Sequence, residues 1–258
     1  MKNLLFVFLL WAASATAADL GTTGLIDTPT ARMRPDGEFA AAISRQPVVD
    51  IYSINYQATP WLETTFRYSA FEDGLYDRSY EVKLRLLQES QWKPEVAIGV
   101  RDLLGTGVFG SEYLVANKTL GAFDISLGLG WGRLAERAAF SNPLAELSDQ
   151  FAERDAEVGL GGEVQLDSFF SGSDVGLFGG VAYDLDEHNL RLLVEYNSDA
   201  YKREVSLGTV EDPSPISYGL EWSGIDNITL GLSHQFGEQW AFSLSSSLDS
   251  LQLPDKKP

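Results

Sequence analysis

The chain has 258 residues, 44% of them apolar and 22% charged, and its 37 Asp and Glu against 19 Lys and Arg leave a net charge of −18. This balance belongs to a folded chain rather than a disordered one, and the acidity argues against a nucleic-acid partner, whose phosphates need neutralising. Cysteine is absent, which excludes disulfides, thiolate metal sites, a catalytic thiol and a thiol for acylation.

The chain opens with Lys2 and an apolar run from Leu4 to Trp11, then small residues ending in Ala15-Thr16-Ala17. The run is too short to span a bilayer as a helix, and Ala15-x-Ala17 has signal-peptidase spacing. Residues 1–17 therefore read as a secretory signal peptide cleaved after Ala17. Residues 18–37 read as an N-terminal segment and candidate plug, residues 38–250 as a β-barrel domain, and residues 251–258 as a tail.

From Phe39 onward, apolar and polar residues alternate between turn signals, which predicts about twelve strands. In chain order they are Phe39–Ser44, Tyr52–Gln57, Leu62–Ser69, Val82–Leu86, Val96–Arg101 and Glu112–Lys118, then Ile125–Trp131, Val175–Tyr183, Leu190–Asn197, Ile216–Trp222, Ile228–Ser233 and Trp240–Ser245. No continuous apolar run of the parallel-sheet kind occurs. A soluble sandwich and an outer-membrane barrel share this alternation, and periodicity does not separate them. Three features favour the barrel. The strand number is even. The aromatics Tyr68, Trp131, Tyr196, Trp222 and Trp240 lie near strand ends. Connections are long after odd-numbered strands (70–77, 103–110, 132–174, 198–214) and mostly short after even-numbered ones. In such a barrel Leu84, Leu127, Leu220 and Leu230 face lipid. The expected fold is all-β, an antiparallel up-and-down outer-membrane β-barrel of about 12 strands with one long loop carrying a short helix. That helix is expected within residues 135–173, capped by Asn142, opened by Pro143 and striped by Leu144, Leu147 and Phe151. The loop reads as a lid on the barrel mouth or as a surface excursion.

Few motifs carry chemistry. Gly105-Thr106-Gly107-Val108-Phe109-Gly110 satisfies the dinucleotide fingerprint, but Tyr113, Val115 and Asn117 alternate as a strand where that fingerprint needs a helix, so it reads as a hairpin loop. Gly128, Gly130 and Gly132 recur at period two and bare one strand face for close packing. His188 falls in a turn. His234 continues the apolar face of Leu230 and Leu232, with Ser233 on the opposite face, which opposes a nucleophile–base pair. No cluster has metal-ligand spacing, and no catalytic residue, cofactor site or metal site is expected.

The polar strand faces carry Arg67, Lys83, Arg85, Arg101 and Arg191 beside Glu63, Glu81, Glu195 and Glu221. Two readings compete. The charges pair with one another and close the lumen, or Lys83, Arg85 and Arg101 form a ladder that contacts an acidic glycan or a plug near Asp27 and Asp36.

Particular stretches carry a family resemblance. Gly24-Leu25-Ile26-Asp27-Thr28-Pro29-Thr30-Ala31-Arg32-Met33 with Pro35-Asp36-Gly37 resembles the opening of the YjbH (WbfB-like) exopolysaccharide-biosynthesis family. Tyr76-Asp77-Arg78-Ser79-Tyr80, Gly99-Val100-Arg101-Asp102, Leu127-Gly128-Leu129-Gly130-Trp131-Gly132 and Val194-Glu195-Tyr196 follow in the family's order. The resemblance implies an outer-membrane β-barrel protein, not an enzyme, that serves production or export of capsule or extracellular polysaccharide. It corresponds to the N-terminal barrel region of longer relatives. Expected partners are outer-membrane lipid, an acidic polysaccharide and other polysaccharide-secretion proteins. The alternatives are a general outer-membrane diffusion pore and a soluble periplasmic β-sandwich binding protein.

Overall fold

The computed structural model describes residues 16–154, 159–162 and 168–250. The signal segment 1–15 and the tail 251–258 lie outside the described residues.

Among the described residues thirteen strands follow one another, and each predicted strand falls on one of them: β1 (Glu38–Arg45), β2 (Val49–Thr59), β3 (Leu62–Phe71), β4 (Tyr76–Leu87), β5 (Glu95–Leu103), β6 (Ser111–Leu120), β7 (Phe123–Gly130), β8 (Ala138–Ser141), β9 (Asp174–Leu185), β10 (Leu190–Tyr196), β11 (Ile216–Ile225), β12 (Ile228–Gln235) and β13 (Gln239–Asp249). Each pairs antiparallel with its neighbour. β7 joins β9 directly, and β13 returns to β1 in register from Glu38↔Asp249 to Arg45↔Phe242. Twelve strands thus close a ring, while the short β8 hangs on one end of β9. Closure rules out the sandwich, because a sandwich keeps open edges and a ring has none.

The ring is polar inside and apolar outside. In β4, Asp77, Ser79, Glu81 and Lys83 point inward and are buried, while Tyr76, Tyr80 and Leu86 point outward and are exposed. Outward apolar residues such as Leu127, 63% exposed, Leu220 and Phe242 make a belt around the wall. The outward side of such a barrel meets hydrocarbon, so Leu127→Arg should cost about 2–4 kcal/mol at the midplane, whereas a substitution to Ile should be nearly neutral. Folding titrations into lipid vesicles measure both. His234 lies in this outer wall, stacked on Tyr218 with ring centroids 5.0 Å apart and meeting Trp240 edge-on. Ser233 turns inward and is buried, so no dyad forms.

Two local expectations change. Trp131 is not part of an outer aromatic band. It lies just past β7, buried, with its Nε1 donating to Asn142 Oδ1 at 3.1 Å and its ring edge-on to Phe170. Asn142 Oδ1 does accept from Leu144 N at 3.1 Å and so caps the turns that Pro143 opens, but no helix of the predicted length follows. Residues 143–147 form turns, and one turn of 3-10 helix follows at Asp149–Phe151, capped by Ser148. Leu147 stays 79% exposed, so the supposed apolar stripe has nothing to pack against. Asn142 is instead a buried hub: its Nδ2 donates to the carbonyls of Phe151, Phe170 and Gly172 and fastens the two ends of the long loop together. A five-residue helix, α1 (Lys202–Ser206), occurs in the connection after β10.

Gly105–Gly110 is the β5–β6 loop and no helix follows it. Asp77 accepts from Thr106 N at 2.8 Å and Asp102 from Phe109 N at 2.8 Å, so the loop is held by wall carboxylates. The bare face at Gly128 and Gly130 is filled from within the chain. A Cβ on Gly128 would meet the Phe178 ring at 2.2 Å, and one on Gly130 would meet Leu134 Cβ at 2.4 Å.

Candidate functional site

Residues 16–34 do not lie on the outside of the ring; they run through its interior, and nearly all are buried. Their apolar side chains find separate anchor points on the wall. Leu20 packs with Val49, Ile51 and Phe71; Leu25 and Ile26 with Ala182 and Leu193; Ala31 with Ala97 and Tyr113. The segment has no regular secondary structure beyond two isolated bridges, Ala17↔Thr23 and Gly24↔Pro29. Its backbone polar groups must therefore be met by the wall, since a buried unmet amide costs about 1–3 kcal/mol.

Wall carboxylates meet the plug's amides. Glu195 on β10 accepts from the N–H groups of Ile26, Asp27 and Thr28 at 3.0–3.1 Å and from Thr28 Oγ1 at 2.8 Å. Glu63 on β3 accepts from Thr23 N at 2.8 Å, from the hydroxyls of Thr22 and Thr23, and from Asn55 Nδ2. Side-chain amides do the same: Asn117 Oδ1 accepts from Ala31 N at 2.8 Å and Gln57 Oε1 from Arg34 N at 3.0 Å.

Wall cations meet the plug's carbonyls. Lys83 Nζ donates to Thr23 O at 3.2 Å and Arg32 O at 2.9 Å while paired with Glu63 at 2.9 Å. Arg67 Nη1 donates to Leu20 O at 3.2 Å. Arg101 Nη2 donates to Asp27 O at 3.1 Å, and its Nε lies 3.2 Å from Glu81. Arg191 Nη1 donates to Thr16 Oγ1 at 3.2 Å and lies 3.5 Å from Asp124. Arg85 stands apart from the plug, paired with Glu95 at 2.9 Å and bonded to Pro60 O at the short-turn end. Of the ladder Lys83, Arg85 and Arg101, the first and last thus hold the plug. Within the plug, Arg32 grips Asp124 through two N–H groups at 2.9 and 2.7 Å and also pairs with Glu89 and Glu95. Near Asp36 the chain leaves the lumen and is exposed.

At the long-loop end a buried polar network ties plug to loops. Tyr201 OH donates to Asp27 Oδ2 at 2.9 Å, Gln46 Nε2 donates to both Asp27 Oδ1 and Asp19 Oδ2, and Gln235 Nε2 also reaches Asp19. Asp199 accepts from Tyr201 N at 2.6 Å and pairs with Arg133, which also holds Glu204 at 2.7 Å. Burial raises the Asp199 carboxyl from 3.8 to about 6, with Arg133 opposing and Glu136 assisting. Asp27 is also raised, by burial first and then by Asp19 and Glu195. A carboxyl whose folded pKa lies above its unfolded one stabilises fully below the unfolded value and loses that contribution as pH rises through the folded value. Glu89, in the β4–β5 turn at the opposite end, has the reverse sign. Burial opposes its ionisation, but Lys118 and Arg32 win and lower it from 4.5 to about 2. Hydrogen-exchange protection, the rate relative to the intrinsic rate at the same pH, should therefore fall in residues 197–207 as pH rises from 4 to 7, and around residues 88–94 only as pH falls below about 4.5.

Above this network lies a vestibule of about 820 Å³. The β5–β6 loop, the ends of the 131–173 connection and α1 wall it. Arg154 from the long loop pairs twice with Glu112 on β6, at 2.7 and 3.1 Å, and Phe170 N donates to the same carboxylate, which pins that wall.

Sequence reasoning located the inward charges but not the neutral amides Gln46, Asn55, Gln57, Asn117 and Gln235, nor Tyr201. For Asn55, Gln57, Asn117 and Gln235 the inward register was the available signal, while Gln46 and Tyr201 lie in connections that carry none.

The YjbH family model, described as exopolysaccharide biosynthesis protein YbjH, matches residues 16–257. The chain is 37% identical over 241 residues to the Escherichia coli (strain K12) protein described as uncharacterized lipoprotein YjbH, an alignment covering 88% of this chain and 34% of that one. It therefore spans about a third of the length of that relative. Among solved structures it is similar to a KdgM porin (TM-score 0.44, 8% identity, 81% of this chain and 97% of that one). It is similar also to a NanC porin (TM-score 0.40, 9% identity, 81% and 97%).

Proposed function

The chain belongs to the YjbH family, and from that premise we propose that it is an outer-membrane barrel, not itself an enzyme, serving production or export of an exopolysaccharide or capsule. It reaches that membrane by a signal peptide cleaved after Ala17, which removes the Thr16 partner of Arg191 and leaves that side chain with Asp124 and Asp184, and it works with outer-membrane lipid, the polymer and other polysaccharide-secretion proteins. The observation that carries the reading beyond the family is the filled lumen. A general diffusion pore needs a standing aqueous path, whereas here wall residues of β3, β4, β5, β6 and β10 are committed to residues 20–32 of the same chain. A barrel closed at rest suits a component that opens only when engaged.

Deleting the gene should lower secreted or surface polysaccharide without stopping growth, and restoring the full chain should recover it. Unchanged polymer together with altered permeability to small solutes would favour the pore instead.

A further inference from the structure

We propose that the vestibule over the plug binds a short segment of an uncharged, hydroxyl-rich saccharide chain; the identity of the ligand rests on the exopolysaccharide reading. Its volume, about 820 Å³, falls in the ~300–1,000 Å³ range of small-ligand sites. The charge state of its walls decides the ligand class. Five cationic side chains line it, and each already has a carboxylate: Arg101 with Glu81, Arg133 with Glu204, Arg154 with Glu112, Arg203 with Asp73 at 2.6 Å, and Lys202 with Glu136 at 4.0 Å. An anionic chain would have to displace those carboxylates and leave some of them buried without a cation, which is costly.

An uncharged chain faces no such exchange. Guanidinium groups carry five N–H donors each and carboxylates about four acceptor sites, so paired side chains keep capacity for hydroxyls that both donate and accept. The rest of the lining fits the same ligand. Phe169 and the fully exposed Leu160 offer apolar area to the C–H face of a sugar ring.

The test uses the full chain refolded in detergent and saturation-transfer NMR with neutral tetrasaccharides of glucose, galactose and mannose, beside tetragalacturonate. At least one neutral probe should bind saturably, and added salt should not weaken it. Ser173→Trp and Ser206→Trp, which fill the cavity from exposed positions in the long loop and in α1, should abolish that binding while the gel shift between unheated and heated barrel stays unchanged. Binding of tetragalacturonate alone, lost in salt, overturns the uncharged class; no binding by any neutral probe overturns the site. Absent binding with secretion still dependent on the gene sinks the site and spares the functional reading, and intact binding with normal secretion in the deletion strain does the reverse.

Discussion

Removal of residues 18–34 should turn a silent barrel into a conducting one. In planar lipid bilayers the intact protein should show little current above the membrane alone, and the deletion variant should show discrete openings several-fold larger. Twelve strands enclose more space than wall side chains can fill. Eight-stranded rings are just filled and those of 16–18 strands leave a channel, and in this ring the surplus is taken up by the plug. The wall groups that the deletion exposes are charged or amide-bearing: Glu63, Glu195, Lys83, Arg101 and Asn117. They would be met by water, so the emptied lumen should wet rather than collapse. An intact protein that conducts as freely as the deletion variant would sink the closed-barrel reading.

Glu63→Ala should be the most damaging single change in the lumen, costing about 3–5 kcal/mol because it strands a buried cation. Glu63 and Lys83 are each fully buried and 2.9 Å apart. The same carboxylate also serves Thr22, Thr23 and Asn55, whose donors would lose their acceptor. Adding Lys83→Met should recover a good part of the loss, since removing both charges leaves neither uncompensated. Arg85→Gln is the contrasting control. Arg85 is only half-buried and touches no plug residue, so its loss should fall near 1 kcal/mol or below. Urea unfolding in lipid, read by gel mobility, of Glu63→Ala, Lys83→Met and the double variant gives the cycle, with Arg85→Gln measured beside them.

The strands and their two faces follow from the sequence, while closure into a ring is decided by the pairing of β13 with β1. Period-two alternation in twelve segments fixes which side chains of each strand share a face, because a strand's side chains alternate by geometry. Glu81, Lys83 and Arg85 are thereby set opposite Val82, Leu84 and Leu86 before any pairing is known. The lengths of the connections then marked the two ends. The family itself was legible in short stretches such as Gly24–Met33.

Tertiary structure alone decided what the inward residues face. Glu195 and Ile26 are 169 positions apart, and Gln235 and Asp19 are 216 apart, so no local pattern links them. A plug without helix or strand has no periodicity to read; its fit depends on backbone amides meeting side chains carried on six or more strands. The same reason explains the local misreadings. Asn142 and Trp131 have the residue types of a helix cap and a membrane-interface aromatic, but each is recruited into a buried hub at the barrel mouth by Phe170 and Gly172 of the returning loop. The pairing of β7 with β9 brings the two ends of that connection together, so the hub forms only with the sheet.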